Sequence, residues 1–516
     1  MKPTLVLSPA LVLVLATLAG CALGPDFHRP EAPAAQGYAP DKMVEQADGH
    51  FDPHKDIPFD WWTLFHSPQI NSLIEKAFKA NPSIEIAQAS LREAQQSTLA
   101  QQGFFYPTFG LEYLPTRNKL AGNMGGNSPG VQGNGTIIQT YSNPGGPAPY
   151  NGPAYYNFHT AQVTLSYTPD VFGGNRRQVE SLEAQAESQR FQLEAAYITL
   201  ASNVVAAALQ EASVRAQIRA MEEVVSDNRK LLEVTRNQYR LGYAMGLDVA
   251  AQEQALAQAE QALIPLKQQL EQTRDLLRLL AGQLPSEELP ETFELNALRL
   301  PDHLPLSLPS KLVEQRPDIR AAEAQLHAAN AQVGVALANR FPQFTITGFL
   351  GGEASVPNQM FHAGAGFFNL IGDITQTVFD GGTLKAREQG AKEALAQAAA
   401  QYRQAVLLAF QNVADTLHAI RSDADALEAA QRTSEAAQKT LRITRQQYET
   451  GQVAYPILLA ADQSYQQAVM MLIQIRTNQL GDTAALYQAL GGGWWNRKSN
   501  DRTDDVSQDS AHDLHQ

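Results

Sequence analysis

The sequence predicts a mixed fold in which very long α-helices are joined to short β-strands, with the whole plan laid out twice along the chain. Three observations predict it. Two stretches of nearly seventy residues carry almost no Gly or Pro. Two internal matches hold a fixed offset. Between the helices, apolar and polar residues alternate. From Asn175 to Leu241 there are 67 residues with neither Gly nor Pro, and from Thr383 to Thr450 there are 68 with no Pro and only Gly390. At 1.5 Å per residue each helix would span about 100 Å. Both are rich in Ala, Gln, Glu and Leu, all strong helix formers. An elongated coiled coil has the same signature, and periodicity alone does not separate the two.

The duplication is read from identities in register. Leu232-Glu233-Val234-Thr235-Arg236-Asn237-Gln238-Tyr239-Arg240-Leu241-Gly242 matches residues Leu441 to Gly451 at an offset of 209, with six of eleven positions identical. Pro82 to Pro107 matches Pro317 to Pro342 at an offset of 235, sharing Pro82, Ile84, Ala87, Ala89, Leu91, Ala94 and Pro107. The first repeat covers 81–284, with strands 106–116 and 157–169, a long helix 175–241 and a returning helix 246–281. The second covers 316–495, with strands 342–351 and 366–379, a long helix 383–450 and a returning helix 455–490. A linker at 285–315 joins them. Each long helix ends at a glycine, Gly242 or Gly451, suited to the left-handed C′ position that reverses a chain. Asp248 and Pro456 stand near the starts of the returning helices, and Pro265 should kink the first of them.

The strands give period-two patterns: Phe109, Leu111 and Tyr113; Ala161, Val163, Leu165 and Tyr167; Phe344, Ile346 and Leu350; and, less cleanly, 367–379. A half-buried soluble sheet would read the same way. Four strands cannot close a barrel, and an open edge cannot sit in lipid, so transmembrane strands here require several chains to share one barrel. Three copies would supply twelve strands. Residues 117–156 hold 9 Gly, 6 Asn and 5 Pro and read as a long exposed loop. The charged tail, 496–516, reads as disordered.

Composition excludes several classes. Lys and Arg number 39 against 53 Asp and Glu, a net charge of −14, which argues against nucleic acid as a partner. The single cysteine, Cys21, excludes internal disulfides and multi-cysteine zinc sites. Gly126-Asn127-Ser128-Pro129-Gly130 fits G-x-S-x-G but lies in a Gly/Pro/Asn loop, without the strand before and helix after that the motif needs. His50 and His54 are four apart, with Pro53 forbidding the helix that would align them on a metal. No phosphate-binding loop occurs. Neither catalysis nor a metal or cofactor is expected.

The N-terminus reads as a signal peptide, 1–20: Lys2, an apolar run from Leu5 to Leu18, then Leu18-Ala19-Gly20-Cys21. That last tetrad resembles a bacterial lipobox. The resemblance implies cleavage before Cys21, acylation of its thiol and new amine, and, with Ala22 following, sorting to the outer membrane. An ordinary signal peptide with an incidental cysteine is the other reading. Several acyl chains make a stable anchor where one alone is marginal.

Further motifs follow in order: Gly24-Pro25-Asp26-Phe27 with Arg29-Pro30; Trp61-Trp62 with Phe65, Pro68, Leu73 and Asn81-Pro82; Arg316-Pro317-Asp318-Ile319; Val378-Phe379-Asp380-Gly381-Gly382; and Leu490-Gly491-Gly492-Gly493-Trp494. Together they resemble the TolC-type outer-membrane efflux factors, in the lipoprotein (NodT) branch that serves resistance-nodulation-division pumps. The resemblance implies a homotrimer: a long α-helical barrel continuous with a transmembrane β-barrel to which each chain gives four strands. It implies an equatorial domain built from segments near 42–75, 285–315 and the C-terminus, with 21–80 forming the acylated segment and its start. The implied partners are outer-membrane lipid, a periplasmic adaptor (membrane fusion protein) and an inner-membrane pump. The implied function is passive export of small toxic compounds through an exit duct of a tripartite pump. An outer-membrane component of type I protein secretion, or a non-channel coiled-coil spacer, are the alternatives.

In that family the helix turns constrict the tube, with an acid ring at the closed end. Tyr239, Leu241, Gly242, Tyr448 and Gly451 are therefore expected at the tip and its adaptor contact. Asp248, Asp462, Arg236 and Arg445 are the candidate gate residues. Relatives commonly carry an acid directly after a Leu pair, where this chain has Leu458-Leu459-Ala460; Asp462 is two residues on, about 200° around a helix. Asp248 and Asp462 read equally well as a capping or solvated acid.

Overall fold

The computed structural model describes residues 22–34, 37–38, 51–52, 55–119, 130–131, 137–138, 155–301, 304–306 and 309–497. The signal segment with Cys21, His50 and His54, most of the glycine-rich loop with Gly126 to Pro129, and the tail from 498 lie outside them. In chain order the elements are β1 (Phe51–Asp52), α1 (Pro68–Ala80), α2 (Pro82–Gln102), β2 (Thr108–Lys119), β3 (Gly130–Val131), β4 (Ile137–Ile138) and β5 (Tyr155–Tyr167). The long helix α3 (Gly174–Arg240) and the returning helix α4 (Gly246–Leu280) complete the first repeat. Then come β6 (Leu304–Pro305), α5 (Pro309–Gln315), α6 (Pro317–Ala338), β7 (Gln343–Ala354), β8 (Gly366–Thr375), α7 (Thr383–Glu449) and α8 (Tyr455–Ala489). The chain divides into two compact units, to both of which α2, α3, α6 and α7 contribute residues.

The first unit holds a four-stranded antiparallel sheet in the order β2-β5-β7-β8. Its register aligns one face completely. Phe109, Leu111 and Tyr113 stand opposite Leu165, Val163 and Ala161. Val163 pairs with Leu350, and Leu350 with Phe368. The other face is more polar, with Gly110, Glu112, Thr164, Gln162, Thr347 and Asp373 beside Leu114, Phe349 and Ile371. The apolar face is bare: Leu111 is 89% exposed and Phe368 82%, with Phe109, Leu370 and Ile374 also uncovered. A soluble half-buried sheet would cover that face; this chain leaves it open. The outer edges of β2 and β8 pair with nothing among the described residues.

Strand limits differ from those expected at 106–116, 157–169, 342–351 and 366–379. A 3-10 turn at Gly103–Phe105, closed by Tyr106 N–H on Gly103 O, delays the first strand to Thr108. Pairing with β5 then carries it on to Lys119. The last strand stops at Thr375 because the Gln376 amide turns onto Arg340 O and Thr377 O. Each long helix begins on an aspartate that accepts two backbone N–H groups: Asp170 from Asn175 and Arg176, and Asp380 from Gly382 and Leu384. That satisfies donors a helix start leaves orphaned. The N-terminal segment is held in this unit as well. Arg177 donates to Leu23 O and pairs with Asp26, Phe27 stacks on His327 at 4.3 Å, and Gly24 lies where a Cβ would meet Gly334 Cα.

The second unit packs Ile57, Trp61, Trp62, Phe65, Ile70, Leu73 and Ile74 into an apolar core, with Trp61 stacked on Tyr487 at 5.4 Å. β1 pairs in parallel with β6. The Arg316-Pro317-Asp318-Ile319 motif is an anchor: Arg316 grips Asp318 with two nitrogens and donates to Ala489 O at the end of α8. Gly491, Gly492 and Gly493 all have positive φ, and Trp494 Nε1 donates to Gln315 O. One stretch of α3 is apolar enough in composition to cross a membrane, but Leu200, Ala201, Val204, Val205 and Ala208 within this helix are buried against the chain itself. The returning helix α4 runs through Pro265 without a break. The proline is exposed, so water can satisfy the carbonyl its ring leaves unpaired.

Candidate functional site: the paired helical turns

Both long helices end in the same backbone motif. Gly242 N–H donates to Tyr239 O and Tyr243 N–H to Gln238 O; Gly451 N–H donates to Tyr448 O and Gln452 N–H to Gln447 O. These are Schellman closures, with φ of +77° at Gly242 and +74° at Gly451. Nothing lies within 4 Å of where a Cβ would sit at either glycine, so the demand for glycine is conformational rather than steric.

Their surroundings differ. The second turn is packed: Leu441, Tyr448, Tyr455, Leu458 and Ala461 form a buried cluster, with Leu231 and Ala251 of the first repeat against it. The first turn is bare. Tyr239 is 55% exposed and Tyr243 84%, and Leu241, Met245 and Leu247 are uncovered too.

A polar network joins the repeats beneath the turns. Gln252 on α4 is fully buried and donates to both Asn228 O and Asn228 Oδ1 at 2.9 Å. It accepts from the Tyr455 hydroxyl. Burial pushes the Tyr455 phenol up, so it stays neutral and serves as donor. Tyr448 donates to Gln238 Oε1 at 3.0 Å. Arg445 pairs with Asp227 at 3.1 Å. Asp462 accepts from Gln466 and Asn228. Burial raises its carboxyl above the usual aspartate value, against the pull of those bonds and of Arg445. Asp227, Arg445 and Asp462 also line a cavity of about 530 Å³ whose wall includes Leu441, Tyr465 and Met470.

The nine residues marked out by sequence thus fall into two groups. Tyr448, Gly451, Arg445 and Asp462 lie in or beside the packed junction between repeats. Tyr239, Leu241, Gly242, Arg236 and Asp248 lie at the first turn. Arg236 pairs with Glu253 of its own repeat, and Asp248 accepts the Met245 N–H at 2.9 Å, capping α4. Between a capping and a gating role for Asp248, the geometry present is that of the cap. Asn228, Gln252, Asp227 and Gln238 were not singled out by sequence. They are ordinary helix residues in type, and their partners come from distant turns of chain.

The sequence profile described as "Outer membrane efflux protein" matches residues 73–283 and 308–492. The cation efflux system protein CusC of Escherichia coli O6:H1 is 28% identical over 95% of this chain and 100% of its own length. The probable outer membrane lipoprotein SilC of Salmonella typhimurium is 28% identical over 92% of this chain and 96% of its own. Among solved structures, the outer-membrane channel OprN superposes with a TM-score of 0.79 at 26% identity, covering 92% of this chain and 100% of that one. The open state of the Neisseria gonorrhoeae MtrE outer membrane channel gives 0.75 at 25%, covering 92% and 98%. With more than half of its length under that profile, and with a fold shared with these channels, the chain belongs to the outer membrane efflux protein family.

Proposed function

We propose that three copies of this chain close one twelve-stranded barrel in the outer membrane and form the exit duct of a tripartite efflux pump. The observation that carries the reading is the sheet: a predominantly apolar face left bare, a more polar face behind it, and two edges unpaired among the described residues. Lipid accepts the first and forbids the last, so the edges must be closed by other copies. The long helices suit a conduit below the membrane, and the paired turns are its far end. There a periplasmic adaptor docks, with Tyr239, Leu241 and Gly242 as contact residues, while an inner-membrane pump selects the cargo. The cargo class is small toxic compounds. The relatives' names include cation efflux for CusC. Tyr448, Gly451, Arg445 and Asp462 act at the closed end. Cys21 carries the lipid that adds a second hold on the membrane.

Native mass spectrometry of the detergent-purified protein tests the assembly. Trimers are expected, and stable monomers would overturn it. The same spectrum reads the mature N-terminus: acylated Cys21 is expected, and an unmodified cysteine removes the anchor.

A further inference from the structure

Asp423 on α7 and Asp482 on α8 have their carboxyl groups hydrogen-bonded to each other. Asp423 Oδ2 is closed to solvent, and no N–H or O–H donor among the described residues reaches it. An ionised carboxylate only accepts, so this contact requires a proton held between the two groups. Burial, then the neighbouring acid, push Asp423 up to about 7. Among the described residues, Asp482 is the one charged group that acts on it. His418, Arg421 and Asp425 are its titratable neighbours along α7. Four cations on α3, α4 and α8 are engaged elsewhere. Arg215 and Arg274 bind Glu211, Arg219 pairs with Glu294, and Arg476 donates to Asn296.

The duplication supplies the comparison. At the 209-residue offset, Asp423 corresponds to Val214 and Asp482 to Thr273. Both are buried, and the Thr273 hydroxyl donates to Gln269 O in its own helix. Neither side chain ionises there. We propose that Asp423 and Asp482 are a proton-sharing clasp between α7 and α8, a pH-sensitive junction that the second repeat has and the first lacks.

The sign follows from linkage. In the folded chain Asp423 keeps its proton up to about 7, whereas an ordinary aspartate loses it near 3.8. The folded junction therefore binds more protons than the open one across that window. It is tightest at the acid end and weakens as pH rises through it. The clasp is independent of whether the turns form a gate.

Hydrogen–deuterium exchange on the full detergent-purified chain tests it, at about pH 5.5 and about pH 8.5 after correction for intrinsic rates. Opening around residues 417–430 and 476–488 is expected to rise about three- to thirtyfold at the higher pH, while 208–220 and 267–279 stay level. Asp423→Val with Asp482→Thr copies the first repeat and is expected to remove the difference. Asp482→Asn does the same with less disturbance, because its amide can donate to Asp423 without a proton. Equal opening at both pH values in the wild type overturns the proposal. So does a pH difference that survives in Asp482→Asn.

Discussion

Tyr239 and Tyr448 hold the same place in two copies of one turn, yet the first is 55% exposed and the second 9%. Arg236 and Arg445 are likewise equivalent, but one pairs within its repeat and the other across to Asp227. The backbone of the turn has been kept, glycine and closure included, while its surroundings have diverged. The divergence is in the partners. Asn228, Asp227 and Gln252 correspond to Ala437, Ala436 and Ala461 in the second repeat, and Tyr455 corresponds to Gly246. Across the junction the first repeat supplies Gln252, Asn228, Gln238 and Asp227, and the second answers with the phenols and the Arg445 guanidinium. A duplicated scaffold has thereby become a two-sided lock with a bare turn beside it, and the bare turn offers Tyr239, Leu241, Tyr243 and Met245 to another molecule.

The largest effect is expected from Gln252→Ala. It strands the Tyr455 hydroxyl and Asn228 Oδ1 in a buried site, at about 1–3 kcal/mol for each unsatisfied group. Limited proteolysis at the turns should show the second turn opening, while the sheet and the Trp61 core keep their protection. The mirror change at the bare turn, Tyr239→Ala, should leave the cleavage pattern as it is. Equal sensitivity of the two would erase the comparison.

Next come the glycines. Gly242→Val and Gly451→Val each place a β-branched residue at positive φ, at about 1–2 kcal/mol, with no clash to add. Because the strain is in the backbone, the two variants should lose similar stability by thermal unfolding. Both should lose efflux while trimers remain intact. A large difference in melting temperature between them would mean that packing, not φ, sets the requirement.

The ion pairs rank last. Arg445→Ala should cost about 0–1 kcal/mol, since both partners are partly exposed, and Arg236→Ala no more than that. Arg445 also opposes the rise of the Asp462 carboxyl, so its loss should move that group further up. An aspartate whose folded value is raised favours the folded junction at the acid end. Protection of the second turn should therefore fall as pH rises above the ordinary aspartate range. Asp462→Asn should flatten that slope, and Asp248→Asn should leave it unchanged.

How much of this the sequence disclosed depends on range along the chain. The helices, the repeat and the two closing glycines are written in local composition: absence of Gly and Pro, then Gly at a fixed place. The apolar face of the sheet was legible as alternation, because register preserves a period of two across strands. Strand ends were not, since they turn on a 3-10 turn at Gly103 and on the Gln376 amide. The lock was the least legible. Gln252 and Asn228 are commonplace inside helices, and their meaning comes from a tyrosine more than 200 residues away. The acids were visible but undifferentiated: only the fold separates Asp248, capping α4, from Asp462, buried beside Asn228.

On the proposed function, three chains make a membrane conduit held shut where the two repeats lock together beneath the turns. Single-channel recording in planar bilayers measures it most directly, comparing wild type with Gln252→Ala and with Asp462→Ala. Discrete channels of low conductance are expected in the wild type and clearly higher conductance in both variants, with Asp248→Ala matching the wild type. Wild-type protein that never conducts would contradict the conduit, and conductance unchanged in both lock variants would contradict its closure by this junction.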